Sequence, residues 1–234
     1  MDNNKKEQVR KMFDSIAPRY DLLNHLLSFG IDRQWRRRTV SLVAVGHPHD
    51  ILDVAAGTGD ISIAMARRIP GTTITGIDLS EEMLAAGRTK VSHRKLDNRI
   101  TLLCGDAERM PFADASFDAV TIGFGIRNFS DIKAGLAEAY RVLRSGGKLF
   151  ILEFSTPHGK VFGPLYKFYF HRILPVIGRL ISKDSSAYTY LPNSVDHFPD
   201  NLLFLQMLEH AGFSDCKAHR QMRGIAYIYE GEKK

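Results

Sequence analysis

The chain has 234 residues, enough for one large domain or one domain with an elaboration. Its 44% hydrophobic content supports a packed core, yet no run reaches the ~18 apolar residues of a membrane-spanning helix, and the polar start of the chain lacks the apolar stretch of a secretory leader. The net charge of +6 permits nucleic acid, an anionic membrane surface or a negatively charged substrate without choosing among them.

In chain order, about the first 45 residues predict helical segments, with loops at Ala17-Pro18 and Phe29-Gly30. From Asp50 the pattern becomes alternating strands and helices. Strands are predicted from Asp50, over Thr73–Asp78, Arg99–Cys104, Phe117–Gly123 and Lys148–Phe154, then near Phe213–His219 and Ile225–Glu230. Helices are predicted over Asp60–Arg68, after the N-cap candidate Ser80, over Ile132–Leu143 with a stop at Ser145-Gly146-Gly147, and over Asp200–His210. This alternation argues for an α/β fold with a mostly parallel sheet. The last two strands are joined by a segment too short for a helical crossover, so they read as an antiparallel hairpin at the sheet edge. Cys104 and Cys216 lie in apolar stretches without a CxxC or a Cys/His cluster. They read as reduced and buried in a cytoplasmic protein, with no metal site.

In an open parallel sheet, ligands bind outside the carboxyl ends of the strands. Ile51 to Asp60 lies at such an end, with Asp53, Gly57, Thr58, Gly59 and Asp60 in its turn. A dinucleotide fingerprint would continue with a third glycine at position 62, where Ser62 stands. Asp78 ends the next strand, where an acid can accept hydrogen bonds from both hydroxyls of a ribose, and Asp106-Ala107 follows the third, where an adenine edge would lie. A ring of acids formed by Asp53, Asp60, Asp78 and Asp106 would repel pyrophosphate and tolerate a cation, which favours S-adenosylmethionine over a phosphate-bearing cofactor.

At this point the chain resembles the demethylmenaquinone and ubiquinone C-methyltransferases over nearly its whole length. The residues that carry the resemblance are Val9 to Asn24, Leu27-Ser-Phe-Gly30, Trp35-Arg36, Leu52 to Asp60, Gly123-Phe-Gly-Ile-Arg-Asn128, Leu152-Glu-Phe-Ser155 and Tyr190-Leu-Pro-Asn-Ser194. It implies a Rossmann-like methyltransferase sheet, a helical N-terminal cap over residues 1–48, and a domain over 49–234 that binds S-adenosylmethionine. An insertion over about 156–198 would cover the substrate. Thr58, Asp78, Asp106 and Ala107 correspond to positions that contact the methyl donor. Gly123 departs from the family, which often has serine there. The implied acceptor is a ring carbon of a lipophilic prenylated quinol, and demethylmenaquinol is favoured.

The candidate catalytic residues are Arg127, to stabilise developing quinolate charge, Asn128, to bond a ring oxygen, and Tyr20, which with Asp21 comes over from the cap. His158 and His171 are weaker proton acceptors by location, and Glu153 reads equally well as a structural acid. The basic, aromatic stretch Val161 to Ser182 reads as a groove cover, as a helix lying on the inner face of an anionic membrane, or as a packed helix. A homo-oligomer is compatible with the sequence, and nucleic acid is not expected. Two other classes remain. An RNA methyltransferase fits the basic charge, but the amino-methylating Asp/Asn-Pro-Pro-Tyr/Phe run is missing after the fourth strand. A scaffold that binds the cofactor without catalysis is disfavoured by the intact loop and the Arg127-Asn128 pair.

Overall fold

A computed structural model describes residues 3–21, 28, 30–157, 163, 168, 172 and 186–234. The resemblance residues Leu22, Leu23, Asn24, Leu27 and Phe29, the candidates His158 and His171, and most of the Val161 to Ser182 stretch lie outside the described residues.

Among the described residues, two helices precede the sheet: α1 (Asn3–Ile16), followed by a short turn Ala17–Arg19, and α2 (Asp32–Ala44). Strands and helices then alternate: β1 (Asp50–Val54), α3 (Asp60–Arg68), β2 (Thr73–Asp78), α4 (Glu81–His93), β3 (Ile100–Cys104), β4 (Phe117–Gly123), α5 (Ile132–Val142) and β5 (Leu143–Phe154). Beyond β5, among the described residues, come α6 (Ser186–Asp196), which falls within the predicted insertion, then α7 (Asn201–His210), β6 (Ser214–Gln221) and β7 (Ala226–Glu232). The seven strands form one sheet in the order β3-β2-β1-β4-β5-β7-β6. The first five are parallel, and β7 runs antiparallel to both β5 and β6, which is the expected edge hairpin.

The helix starts follow from side-chain caps. Ser80 Oγ accepts from the Met83 amide at 3.2 Å, Asp131 from the Lys133 and Ala134 amides, and Asp200 from the Leu203 amide, each supplying an acceptor to a first-turn N–H. β1 is buried almost throughout because helices cover both faces of the sheet. Leu52 and Val54 pack on one face with Leu136 and Val142 of α5 and with Phe204 and Leu208 of α7. Ile51 packs on the other with Val40 and Val43 of α2, Met65 of α3 and Leu84 of α4. Each fully buried aliphatic side chain contributes about 1.5–3 kcal/mol, so this two-sided core holds the strand ends rigidly.

Two expectations are corrected. Cys104 is exposed and Cys216 only half-buried. β3 is an edge strand, and the end that carries Cys104 runs beyond its cover. α5 ends at Val142, ahead of the Ser145-Gly146-Gly147 stop, and β5 already begins at Leu143, so that run lies inside the strand. Leu143 pairs with Phe117 and Lys148 with Ala119, so the intervening residues form a bulge within the ladder.

Candidate active site

The strand order reverses direction between β1 and β4, and the loops that leave these two strands meet there. Ala55, Gly57 and Gly59 after β1 and Phe124 after β4 all take positive φ. For Ala55 and Phe124 that conformation is costly, and it is held by the packing between the loops. A Cβ on Gly125 would lie 2.4 Å from Ala55 Cβ, so glycine is needed for this approach. A Cβ on Gly123 would meet Ile61 Cδ1 at 2.1 Å. Ile61 occupies the space that a serine at this position would need.

A cavity of about 730 Å³ opens over this junction. Its floor includes Gly57, Asp78, Asp106 and Ala107 from the strand ends, and Gly123 and Asn128 from the far loop. Its roof is α1. Lys6, Val9, Arg10 and Phe13 repeat at helical spacing on one face, and Tyr20 follows. A smaller cavity of about 370 Å³ adjoins it, lined by Tyr20, Arg36, Asp53, Thr58, Asp60 and Phe124 among others. Tyr20 therefore borders both, with its ring edge-on to Phe13 at 6.1 Å.

The four acids of the predicted ring differ in what they face. Asp78 accepts the Gly57 amide on Oδ2 at 2.8 Å and the Ser80 amide on Oδ1 at 2.9 Å. Burial pushes its carboxyl up, and the two amides oppose the shift. Each oxygen keeps a lone pair for a diol in the cavity. Asp53 is turned into the sheet, with Oδ2 taking the Ser62 hydroxyl at 2.6 Å and Oδ1 the Thr121 hydroxyl at 2.8 Å. Ser62, in place of a third glycine, thus holds the acid of the loop. Asp106 is paired with Lys6 at 2.7 Å, and Asp60 is paired with Lys90 and with Arg36. Two of the four acids are neutralised, so the ring repels anions less than the sequence suggests.

Several polar contacts tie the cap down, among them Lys5 Nζ donating to the Phe129 carbonyl at 2.6 Å. Lys6 bridges Asp106 and Glu108, the latter at 2.9 Å. Ser80 Oγ donates to Asp14 at 2.5 Å. Thr58, buried, donates to Asp21 at 2.6 Å, and Lys90 reaches Asp21, Thr58 and Asp60 together. The Thr58 hydroxyl is directed to the cap rather than to the cavity floor. Lys6, Asp14, Lys90 and Arg36 were not singled out from the sequence for this latch. Their partners lie far along the chain, and nothing local marks them.

Past β4, Arg127 is buried against Glu153, with Nη1 2.7 Å from Oε1. Nη1 also donates to the Phe124 carbonyl at 2.5 Å, Nε donates to Ser194 Oγ at 3.3 Å, and the guanidinium lies over the Phe154 ring at 5.5 Å. Burial raises the Glu153 carboxyl, and the charge of Arg127 opposes that shift. Arg127 does not line the main cavity; Asn128 does. The structure thus brings Tyr20, Asn128, Gly57, Asp78, Asp106 and Ala107 around one space and sets Arg127 behind it.

An acid with spare acceptor capacity at the end of β2, beside a glycine turn at the switch point, suits the nucleoside of S-adenosylmethionine. A connected cavity suits its amino-acid end. The protein is a Rossmann-like methyltransferase that uses S-adenosylmethionine. A methyltransferase structure from Thermotoga maritima shares the fold with a TM-score of 0.68, at 18% identity over 96% of this chain and 99% of that one. The model of the ubiE/COQ5 methyltransferase family matches residues 1–233, and the chain belongs to that family. It is 50% identical over 98% of its length to the ubiquinone/menaquinone biosynthesis C-methyltransferase of Geotalea daltonii, covering 97% of that protein. It is 46% identical to the demethylmenaquinone methyltransferase of Porphyromonas gingivalis, over 98% of this chain and 94% of the relative.

Proposed function

We propose that the protein transfers the methyl group of S-adenosylmethionine to a ring carbon of a prenylated quinol, converting demethylmenaquinol to menaquinol. The observation that carries this reading is near-full-length similarity to a demethylmenaquinone methyltransferase, together with a cavity whose walls include Phe13, Phe124 and Phe129. Asp78 holds the ribose diol, Asp106 and Ala107 border the adenine, and the turn Gly57-Thr58-Gly59 runs beside the methionine portion. Arg36 lines the smaller cavity and supplies a cation at that end. Asp53 positions the turn from below through Ser62.

S-adenosylmethionine supplies an electrophilic methyl group on a sulfonium that leaves as a neutral thioether. The acceptor must be the reduced quinol, because an oxidised quinone ring is too electron-poor to attack. Loss of the hydroxyl proton pushes density onto the ring carbon, a C–C bond forms as the S–C bond breaks, and loss of the ring proton restores aromaticity. The protein's task is to hold carbon, methyl and sulfur in line with water excluded, which roofing by α1 and Tyr20 serves. Asn128 faces the reacting ring. Arg127, charge-paired with Glu153, shapes the corner from behind.

The cap over residues 1–48 forms part of the substrate half. The basic aromatic insertion draws the enzyme from the cytoplasm to the inner membrane face, where a polyprenyl quinol resides. Among the described residues no helix is long and apolar enough to cross a membrane. A second reading, a bifunctional enzyme that also methylates a benzoquinol precursor, is favoured by the name of the Geotalea relative. A transfer assay with reduced demethylmenaquinol and a demethylated ubiquinol precursor, side by side, separates the two. Turnover of the first alone supports the main reading, turnover of both the second, and turnover of neither removes the quinol assignment.

A further inference from the structure

α6 grips the Arg127-Asn128 corner from outside. Tyr190 and Ser194 are one turn apart and share a face of this helix. The Tyr190 hydroxyl donates to Asn128 Oδ1 at 3.1 Å. Ser194 gives its own proton to the Leu191 carbonyl and accepts from Arg127 Nε. The Tyr190 to Ser194 run is prominent in the sequence, and the reaction as described assigns it nothing.

The Asn128 amide has one chemically consistent orientation here. Nδ2 faces the Phe124 carbonyl at 3.5 Å while Oδ1 faces the Tyr190 hydroxyl. Turning the amide over would set Oδ1 against a carbonyl oxygen that already accepts from Arg127. Burial raises the Tyr190 phenol above its ordinary value, so it stays protonated and stays a donor. Asn128 lines the main cavity. Tyr190 instead lines a neighbouring cavity that shares Phe129 as a wall. Tyr190 therefore reaches the reaction only through Asn128. An amide carries two N–H bonds, and with one directed at Phe124 the other is left for the cavity.

We propose that Tyr190 is a positioning residue that locks the Asn128 amide with an N–H toward the acceptor, so that the site offers a donor to the quinol oxygen that loses its proton. This inference rests on the quinol reading above. A donor favours the oxyanion over the neutral hydroxyl and lowers the hydroxyl's pKa in the bound complex. A carbonyl oxygen in the same place would raise it.

The test assays methyl transfer to reduced demethylmenaquinol in detergent over a pH series, for wild type, Tyr190→Phe, Asn128→Ala and the double variant. Calorimetry gives the affinity for S-adenosylmethionine. Tyr190→Phe is expected to lower kcat roughly 10-fold near neutral pH, the scale of one hydrogen bond. That deficit shrinks as pH rises, because the acid limb of kcat moves upward. Cofactor affinity stays unchanged, and the double variant is no worse than Asn128→Ala alone. A purely structural contact would depress kcat equally at every pH and add to Asn128→Ala. An unshifted acid limb in an active, folded Tyr190→Phe overturns the proposal alone. A wild type inactive on the quinol overturns both the proposal and the reading beneath it. Asn128→Asp leaves α6 untouched and carries the same expectation should Tyr190→Phe fail to fold. Its acid limb moves up, and an unmoved limb overturns the proposal.

Discussion

Asp78 at the end of β2 and Arg127 just past β4 border the same junction and are held in opposite ways. Asp78 is oriented by backbone amides of its own turn and the neighbouring one, Ser80 and Gly57. Arg127 is oriented by side chains and backbone brought from three places: Glu153 on β5, Ser194 on α6, and the Phe124 carbonyl. The first arrangement comes with the sheet and survives changes elsewhere. The second is a buried charge pair whose halves depend on each other. The half of the site proposed for the methyl donor is therefore less exposed to changes elsewhere in the fold, while the half proposed for the acceptor is bound up with stability.

Arg127→Ala breaks this comparison most severely. It leaves Glu153 fully buried without its cation, and loss of one partner of a buried pair costs about 3–5 kcal/mol. Both the denaturant midpoint and kcat are expected to fall. Arg127→Met combined with Glu153→Gln removes the stranded charge and keeps an acceptor for the Phe154 amide. It is expected to recover much of the midpoint but not kcat. Recovery of both would assign Arg127 a structural role alone.

Asp78→Ala comes next. It removes the two charge-assisted acceptors proposed for the ribose, together worth roughly 10²-fold or more in cofactor Kd by calorimetric titration. The Gly57 and Ser80 amides are buried and lose their acceptor, so the fold should also lose about 1–3 kcal/mol, and the Kd is read on the folded fraction. An unchanged Kd would remove the ribose assignment.

The same contrast explains what the sequence made legible. Strands with apolar runs, the Ser80 cap, the edge hairpin and the acid after β2 are local patterns, and local patterns can be read along a chain. The pairing of Arg127 with Glu153 was not legible, because their adjacency arises from the parallel register of β4 and β5. Lys6 on Asp106 and Lys90 on Asp60 were not legible, and they weaken the electrostatic argument that first favoured a cation. Cys104 was misread because its strand was taken as covered, and only the strand order makes β3 an edge. The clash of Ile61 with any side chain at position 123 is likewise a contact between distant residues.

The cap latch offers a smaller test of the half proposed for the methyl donor. Lys6→Met removes a partly exposed bridge to Asp106 and Glu108 and should speed cofactor release by up to about 10-fold, the upper end for one such bridge. Release from wild type should quicken with added salt, and release from Lys6→Met should respond less, as stopped-flow dissociation would read. Equal salt responses would show that the latch does not hold the cap over the cofactor.

The smallest net effect is expected at Asp53, and its sign separates burial from pairing. Burial pushes this carboxyl from 3.8 to about 6, and the hydrogen bonds from Ser62 and Thr121 only partly offset that. Between those values the folded protein binds a proton that the unfolded chain has released. Stability due to this group therefore falls as pH rises from about 4 to about 6, and the ionised form carries a cost on the order of 3 kcal/mol above that window. Asp53→Asn removes the ionisation and weakens the two hydroxyl hydrogen bonds, so the net change near pH 7 should be about 1 kcal/mol or less. The difference in unfolding free energy between wild type and variant should instead slope across the window, wild type gaining relative to the variant as pH falls. A flat difference would mean that Asp53 ionises as an ordinary carboxylate. The turn above it would then rest on a charge without a burial cost.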